Sequence, residues 1–341
     1  MKRYFWLLAI ALVLGLGIPV IYGGAELFDQ LTIFPLHVLA LVLAMVFIGW
    51  NLNAGRLRLM LGGIRQPMGQ GRALATVIAT EFAFCATPAG SGGPVTYVYL
   101  LRRYGISGSC GAALYTLDIL MDILFFVSAL IVVVLILFFD PQRLHIGWQL
   151  MLLCGLLGAL VLSAWVTLKH YRPIMIGAGR LMGRLRTSPA TRRRFARAIL
   201  RFRQSLGMIF RMSRARLLAI YACCAGHWVL RYSILYVIIE GVNQHISWAY
   251  SFLAQALAFA AGQLTLLPGG TGGVELSFTA LLAPFLDGAT LAAVLLMWRF
   301  STFYWYLIAG APVFAILAGK ALWRRLSVSS IDANGSGQAS V

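Results

Sequence analysis

Residues 265–277 read TLLPGGTGGVELS and lie in the middle of an otherwise apolar segment. A second stretch, FCATPAGSGGPVTY at residues 84–97, interrupts another apolar segment in the same way. Pro88 and Pro268, which mark the two interruptions, are 180 residues apart. Because glycine and proline are unfavourable in a helix interior, the sequence predicts that both apolar segments are broken at these positions.

The composition of the rest of the chain is typical of a membrane protein. Of its 341 residues, 60% are hydrophobic and only 11% are charged, whereas about a quarter of the residues of soluble domains are charged. Several apolar runs approach the roughly 20 helical residues that cross a hydrocarbon core of about 30 Å. The short alternating segments typical of an outer-membrane barrel are not seen in this sequence. The sequence therefore predicts an all-α polytopic membrane protein that begins with an uncleaved span.

The basic residues are concentrated in one segment. The formal net charge is +18, and residues 169–216 contain half of the 28 lysines and arginines but no acid. Because cytoplasmic loops of membrane proteins carry an excess of lysine and arginine, this segment is predicted to be a cytoplasmic loop. Because this interpretation accounts for the basic residues, we expect no nucleic-acid partner. The arginines of the loop can also hold anionic lipid head groups.

The charges that flank the other apolar segments give them an orientation. Arg56, Arg58, Arg65 and Arg72 place the end of the second span in the cytoplasm, and both termini are predicted there too. Segment 73–101 has basic residues at both ends and is predicted to enter and leave from the cytoplasm. Six spans are predicted, near residues 5–23, 35–53, 109–138, 147–168, 217–240 and 289–319.

The order of these segments repeats. Two spans, a broken segment and one span make up residues 1–140, and the same order recurs in residues 141–325, which include the basic loop 169–216. The second broken segment, 248–286, has no basic flank and is predicted to enter from outside. The fold prediction is thus an inverted repeat of three spans plus one re-entrant helical hairpin each, with a disordered tail at 326–341.

The two glycine-rich breaks are the first candidate binding site. In a bilayer, irregular backbone persists only where it is buried in protein or lines a polar cavity. New half-helices are predicted to begin near Gly93 and Gly273, and their free N–H groups favour an anion. A simple packing role for the glycines is the alternative. The candidate substrate-binding glycines are Gly90, Gly92, Gly93, Gly269, Gly270, Gly272 and Gly273.

Ionisable residues inside apolar segments are the second set of candidates, because such residues are costly in a bilayer unless they have a role. Asp118 and Asp122 lie four residues apart and so share one helical face. They lack an evident third ligand, and we predict neither a metal nor a cofactor. The carboxylates predicted for a central cavity are Glu81, Asp118 and Asp122, and the predicted head-group contacts are Arg231, Glu275, Arg299 and Tyr304. Alternatively, the charged residues only pair with one another.

Several stretches together resemble a known family. These are PGGTGGVE, WRFSTFYWYLIAG, TPAGSGGPVTYVYLLRRYGIS and TLDILMDIL. They are similar to the motifs of the flippase-like membrane family that includes the transmembrane region of bacterial lysylphosphatidylglycerol synthases, over roughly residues 1–325. The resemblance implies a helical bundle with two re-entrant hairpins that moves lipids across the inner membrane. Since the apolar segments continue almost to the end of the sequence, we expect no aminoacyltransferase domain.

These observations lead to one main hypothesis and two alternatives. The main hypothesis is a non-enzymatic translocase that moves an anionic or zwitterionic phospholipid, or a polyprenyl-phosphate lipid, between leaflets through a central polar cavity. The first alternative is a membrane-embedded enzyme that acts on a lipid phosphate. The second is a non-catalytic partner of a lipid synthase or glycosyltransferase.

Overall fold

The described part of the chain is helical. The computed structural model describes residues 2–139 and 211–317, together with a few isolated positions between residues 151 and 207. The predicted fourth span, 147–168, lies largely outside the described residues, as do most of the basic segment and the tail at 326–341.

The described ranges 2–139 and 211–299 contain ten α-helices, numbered in chain order, and no β-strand. They are α1 (Lys2–Gly23), α2 (Glu26–Thr32), α3 (Leu36–Gly63), α4 (Gln70–Cys85), α5 (Gly92–Arg103), α6 (Gly108–Phe139), α7 (Arg214–Gly241), α8 (Trp248–Leu264), α9 (Gly273–Leu282) and α10 (Gly288–Arg299). A π-helical segment, Phe300–Tyr304, follows α10, and helix resumes as far as residue 317.

Five of these helices have the length and composition of membrane spans. Within the described residues, they are α1, α3, α6, α7 and α10 with its continuation, over Trp6–Gly23, Leu36–Gly63, Gly108–Ile136, Arg214–Gly241 and Gly288–Leu317. The prediction of an all-α polytopic membrane protein is thereby confirmed.

Both apolar segments that contain the proline-glycine motifs are broken, as predicted. The first consists of α4, with 16 residues, and α5, with 12 residues. The second consists of α8, with 17 residues, and α9, with 10 residues. Each of the four helices is shorter than the roughly 20 residues that cross a bilayer. The two members of each pair pack against each other, so each broken segment forms a helical hairpin.

The same order of elements occurs twice. A long helix, α3 or α7, precedes each hairpin, and these two long helices pack along each other. A second long helix follows each hairpin and begins at Gly108 in α6 and at Gly288 in α10. These two starts are 180 residues apart, the same separation as that of Pro88 and Pro268. The short helix α2 between α1 and α3 was not anticipated from the sequence.

The end of α3 differs from the prediction. The second span was expected to stop near residue 53, but α3 continues to Gly63. Arg56 was expected in the cytoplasm. Its side chain is only 3% exposed and forms ion pairs with Asp118 and Asp122 of α6. Two partly exposed carboxylates on one face of α6 provide the counter-charge that lets this arginine lie inside the bundle. The side of the membrane on which Arg56 lies remains a prediction.

Candidate functional site

The tips of the two hairpins are in contact with each other. Their backbones form a single antiparallel bridge at Pro88 and Pro268. The two motifs that the sequence places 180 residues apart are therefore in direct contact.

Both tips have the same turn. The φ angles of Ala89 and Gly90 are 49° and 68°, and those of Gly269 and Gly270 are both 65°. This left-handed region is unfavourable for residues with a side chain. Each turn is closed by a backbone hydrogen bond. The N–H of Gly90 donates to the carbonyl of Thr87 at 3.1 Å, and the N–H of Gly270 donates to the carbonyl of Leu267 at 3.0 Å.

A cavity lies between the two tips. It contains about 450 Å³ of empty space, counting the part that is open to the surroundings. Arg231 of α7 and Arg299 of α10 both line it. Three aromatic rings, those of Phe84, Phe259 and Phe303, supply apolar surface. The cavity thus combines two cationic side chains with the backbone of both turns.

The predicted glycines divide into two groups. Gly90, Gly269 and Gly270 line the cavity. The other four, Gly92, Gly93, Gly272 and Gly273, lie at the starts of α5 and α9 and are not among its described lining residues. A Cβ atom on Gly92 would lie 2.6 Å from the carbonyl oxygen of Ala83, and one on Gly273 would lie 2.9 Å from that of Ala261. Close packing, the alternative considered from the sequence, therefore applies to Gly92 and Gly273.

The amide groups at these helix starts are already bonded. The N–H of Gly92 donates to the hydroxyl of Thr87 at 2.7 Å. The N–H of Gly272 donates to the carboxylate of Glu275 at 2.6 Å. The expectation of free amides at the helix starts was therefore wrong for these two groups. Most of the positive charge at the cavity comes from the arginines instead.

Arg299 forms a buried ion pair with Glu275. The distance from Nε of Arg299 to Oε1 of Glu275 is 2.7 Å, and both side chains are 1% exposed. The same arginine donates from Nη1 to the carbonyl of Gly269 at 3.1 Å. Its remaining nitrogen, Nη2, has no hydrogen-bond partner within the described part of the chain. Arg299 thus ties the second tip to α10 and keeps one donor unused.

Arg231 is held more loosely. Its Nη1 donates to the hydroxyl of Tyr306 at 3.0 Å, and its Nη2 lies 3.5 Å from the carbonyl of Thr302. The guanidinium carbon also lies 4.7 Å from the centre of the Tyr306 ring. The nearest carboxylate, Glu81 of α4, is 3.7 Å away. Among described residues, Nε of Arg231 has no hydrogen-bond partner.

The π-helical segment forms part of the wall of the cavity. It follows Arg299 immediately, and two of its residues, Thr302 and Phe303, line the cavity. A π-helix widens the helical turn and leaves carbonyl groups in need of donors. The hydroxyls of Ser301 and Thr302 donate to the carbonyls of Met297 and Trp298 at 2.9 Å and 2.7 Å. These side chains therefore support the irregular turn.

Tyr304 lies beside the cavity rather than in its described lining. Its hydroxyl is buried without a hydrogen-bond partner in the part of the chain that the structure describes. The ring lies against α1, because a Cβ atom placed on Gly15 would be only 2.5 Å from the hydroxyl oxygen of Tyr304. The same Cβ atom would be 3.3 Å from the side chain of Thr271 and 3.5 Å from that of Glu275, both in the second broken segment. Gly15, which was not singled out from the sequence, thus allows α1 to approach the second hairpin closely.

Asp118 and Asp122 form a separate cluster. Besides its bond from Arg56 at 2.8 Å, Asp122 accepts bonds from the indole of Trp228 at 2.8 Å and from the thiol of Cys224 at 3.3 Å. Neither aspartate is among the cavity's described lining residues. No group of three potential metal ligands occurs among the described residues. Ion pairing, the alternative considered from the sequence, describes the geometry of this cluster.

The geometry defines a class of protein: a polytopic membrane protein with a cationic cavity between two broken helices. Comparison with known proteins gives the family. The chain matches the lysylphosphatidylglycerol synthase transmembrane region over residues 6–310 and belongs to that family. It is also similar to a UPF0104 membrane protein of Archaeoglobus fulgidus, with 21% identity over 285 residues, which cover 81% of this chain and 84% of that protein.

Proposed function

We propose that this protein is a lipid translocase. Its substrate is an anionic or zwitterionic phospholipid or a polyprenyl-phosphate lipid, which passes from one leaflet to the other without chemical change. The phosphate of the head group binds in the cavity between the hairpin tips, while the acyl or prenyl chains remain in the bilayer.

One observation carries this proposal: two arginines that line a single cavity each keep a guanidinium nitrogen without a partner among described residues. An unpaired donor on a buried arginine is costly, and a phosphate oxygen matches guanidinium donors well. Arg231 and Arg299 would each give one N–H to the phosphate. The aromatic rings of the lining suit the apolar part of a lipid next to its head group.

The placement in the membrane is part of the proposal. We infer that residues 1–140 and 141–325 are two inverted repeats and that each hairpin is re-entrant, the first from the cytoplasm and the second from outside. The repeated order of elements and the contact between Pro88 and Pro268 support this arrangement. Tips that meet from opposite faces lie near the bilayer centre, where a head group needs polar contacts.

The surroundings of the protein complete this proposal. We place it in the inner membrane of a bacterium, with both termini and the basic segment 169–216 in the cytoplasm. Anionic lipids would gather at that segment. A lipid synthase or a glycosyltransferase is the expected partner, because such an enzyme supplies or consumes lipids on one face of the membrane.

A reconstituted vesicle assay tests the proposal. Fluorescent phosphatidylglycerol, phosphatidylethanolamine and polyprenyl phosphate are placed in proteoliposomes, and their movement is followed with a membrane-impermeant quencher. We expect movement faster than in empty vesicles for at least one lipid and a loss of about tenfold or more with Arg231→Gln, a deficit of about 1.4 kcal/mol or more. Gly270→Leu and Arg299→Ala should reduce the movement of the lipid at least as strongly.

Arg58→Gln is the matched control, since Arg58 lies on α3 with its side-chain bonds to Met68 and Gln70, away from the cavity. This variant should behave as the unaltered protein. Equal movement in empty vesicles and in proteoliposomes, for all three lipids, contradicts the proposal. Mass spectrometry of the recovered lipid distinguishes a translocase from an enzyme, because a chemical product would indicate the enzymatic alternative.

A further inference from the structure

The interior carboxylates of the described residues differ in how they are bonded. Glu275 accepts bonds from Arg299 and from a backbone amide, and Asp118 and Asp122 accept bonds from Arg56. Glu81 accepts no hydrogen bond from any described residue, and its ion pair with Arg231 spans 3.7 Å. Glu81 is therefore the interior carboxylate of the described residues that no hydrogen bond holds in place.

The position of Glu81 connects it to the cavity. Cys85, four residues further along α4 and therefore on the same face, lines the cavity. Arg231 lines the cavity as well, and the side chain of Glu81 is 21% exposed. Glu81 and a bound head group would therefore reach the same guanidinium group.

Other charged or titratable groups also act on Glu81. Its charged neighbours besides Arg231 are Asp118 and Asp122 on α6 and Arg56 on α3. The phenols of Tyr115 and Tyr306 and the thiol of Cys85 are its neighbouring weak acids. Arg231 is the cation within ion-pair distance among the described residues.

We propose that Glu81 is a proton-binding site coupled to binding of the lipid phosphate; this inference rests on the proposed function. The phosphate takes Arg231 from Glu81, and the carboxylate that has lost its counter-charge binds a proton from water. When the lipid leaves, Arg231 pairs with Glu81 again and the proton is released. One proton therefore accompanies each head group through the cavity. No covalent bond of the lipid forms or breaks.

The physical reason is the cost of unpaired charge. An ionised carboxylate in a poorly solvated site is strongly unfavourable without a partner, and one arginine cannot neutralise both the phosphate and Glu81. Binding a proton removes the excess negative charge. Glu275 does not have this freedom, because the N–H of Gly272 and Nε of Arg299 already bond its two carboxylate oxygens at 2.6 Å and 2.7 Å.

Proton uptake can be measured apart from translocation. Purified protein in detergent is titrated with short-chain phosphatidylglycerol in a calorimeter, in two buffers of different ionisation enthalpy, over about pH 5 to pH 8. We expect about one proton to be taken up per lipid bound at the upper end of this range. The dissociation constant should rise about tenfold per pH unit there, since one proton is linked to binding.

Glu81→Gln, which resembles the protonated carboxyl, should bind the lipid with no proton uptake and with little dependence on pH. Glu240→Gln is the control, because Glu240 ends α7 and pairs with His245 outside the cavity. It should behave as the unaltered protein. In vesicles, a pH gradient should accelerate lipid movement by the unaltered protein but not by Glu81→Gln.

The outcomes separate the two proposals. Lipid binding without proton uptake, or uptake that persists in Glu81→Gln, overturns the coupling and leaves the translocase. Proton-coupled binding without movement in vesicles overturns the translocase and leaves the proton site. If the unaltered protein binds no lipid at any pH, both proposals are overturned.

Discussion

The two hairpin tips share a motif and a turn, but they are held in different ways. At the second tip, Glu275 bonds both a backbone amide and Arg299, and both members of that ion pair are almost completely buried. At the first tip, a neutral hydroxyl, that of Thr87, bonds the corresponding amide. The nearby acid, Glu81, only approaches its arginine. The second tip therefore has a short, almost completely buried ion pair, whereas the pair near the first tip is longer and partly exposed.

The largest predicted effect compares the two acids. Glu275→Gln should lower the free energy of unfolding by about 3–5 kcal/mol, because it leaves Arg299 buried without a counter-charge. Glu81→Gln should cost less than about 1 kcal/mol, since its pair is long and partly exposed. Unfolding in mixed micelles, followed by tryptophan fluorescence, measures both. Equal losses would contradict the difference between the tips.

The second prediction compares glycines at matching places in the two turns. Gly90→Ala and Gly270→Ala introduce the same backbone strain, about 1–2 kcal/mol, because their φ angles are nearly equal. A Cβ atom on Gly270 would also lie 2.9 Å from the backbone of Gly262, whereas one on Gly90 meets the exposed ring of Phe84, which can rotate away.

Gly270→Ala should therefore cost about 1–3 kcal/mol more than Gly90→Ala, the usual range for overpacking. The same mixed-micelle unfolding measures the difference. A larger loss for Gly90→Ala would show that the first turn, rather than the second, is the tighter one. Gly62, which has open space around it, provides a control substitution without a steric effect.

The third prediction compares Ser91 and Thr271, which directly follow the two left-handed residues of the first and the second turn. Thr271 is buried and donates from its hydroxyl to the carbonyl of Pro268 at 2.8 Å. Its counterpart, Ser91, is exposed, and its hydroxyl makes no hydrogen bond to a described residue. Thr271→Val should lower the free energy of unfolding by about 1 kcal/mol, and Ser91→Ala should change it by less than about 0.5 kcal/mol. A cost for Ser91→Ala as large as that for Thr271→Val would remove this asymmetry.

The breaks and the long helices were predictable from the sequence because they follow from local chemistry. Proline and glycine end a helix wherever the segment is placed, and the new helices begin at Gly92 and Gly273, close to the predicted Gly93 and Gly273. Burial of charged side chains in the apolar segments likewise followed from composition. The inversion of the two repeats remains a prediction.

The pairing of the charges could not be read from local sequence, because it depends on which helices pack together. Arg56 illustrates this point, since its partners lie 62 and 66 residues away on α6. Two acids on one helical face were a signal that a buried cation was needed, but they did not identify it. The π-helical turn after Arg299 and the approach of α1 at Gly15 likewise depend on tertiary packing.

The smallest predicted effect compares the caps of the helices that follow the hairpins. Asp287 caps α10 by accepting from the N–H of Thr290 at 3.0 Å, and Ser107 occupies the matching place before α6, where it accepts from Cys110 at 3.3 Å. Replacement of either by alanine should cost about 1 kcal/mol at neutral pH. The two losses should then differ at low pH.

Chiefly because of the hydrogen bonds from Thr290, the pKa of Asp287 lies below its ordinary value. A lowered carboxyl pKa adds stability that is present above the unfolded-state pKa, about 3.9, and is lost as the pH falls through the lowered value. The cost of Asp287→Ala should therefore shrink below about pH 4, while that of Ser107→Ala stays constant because a serine does not titrate. Unfolding measured at about pH 7 and pH 3 tests this, and parallel losses at both pH values would show that the charge of Asp287 contributes nothing to its cap.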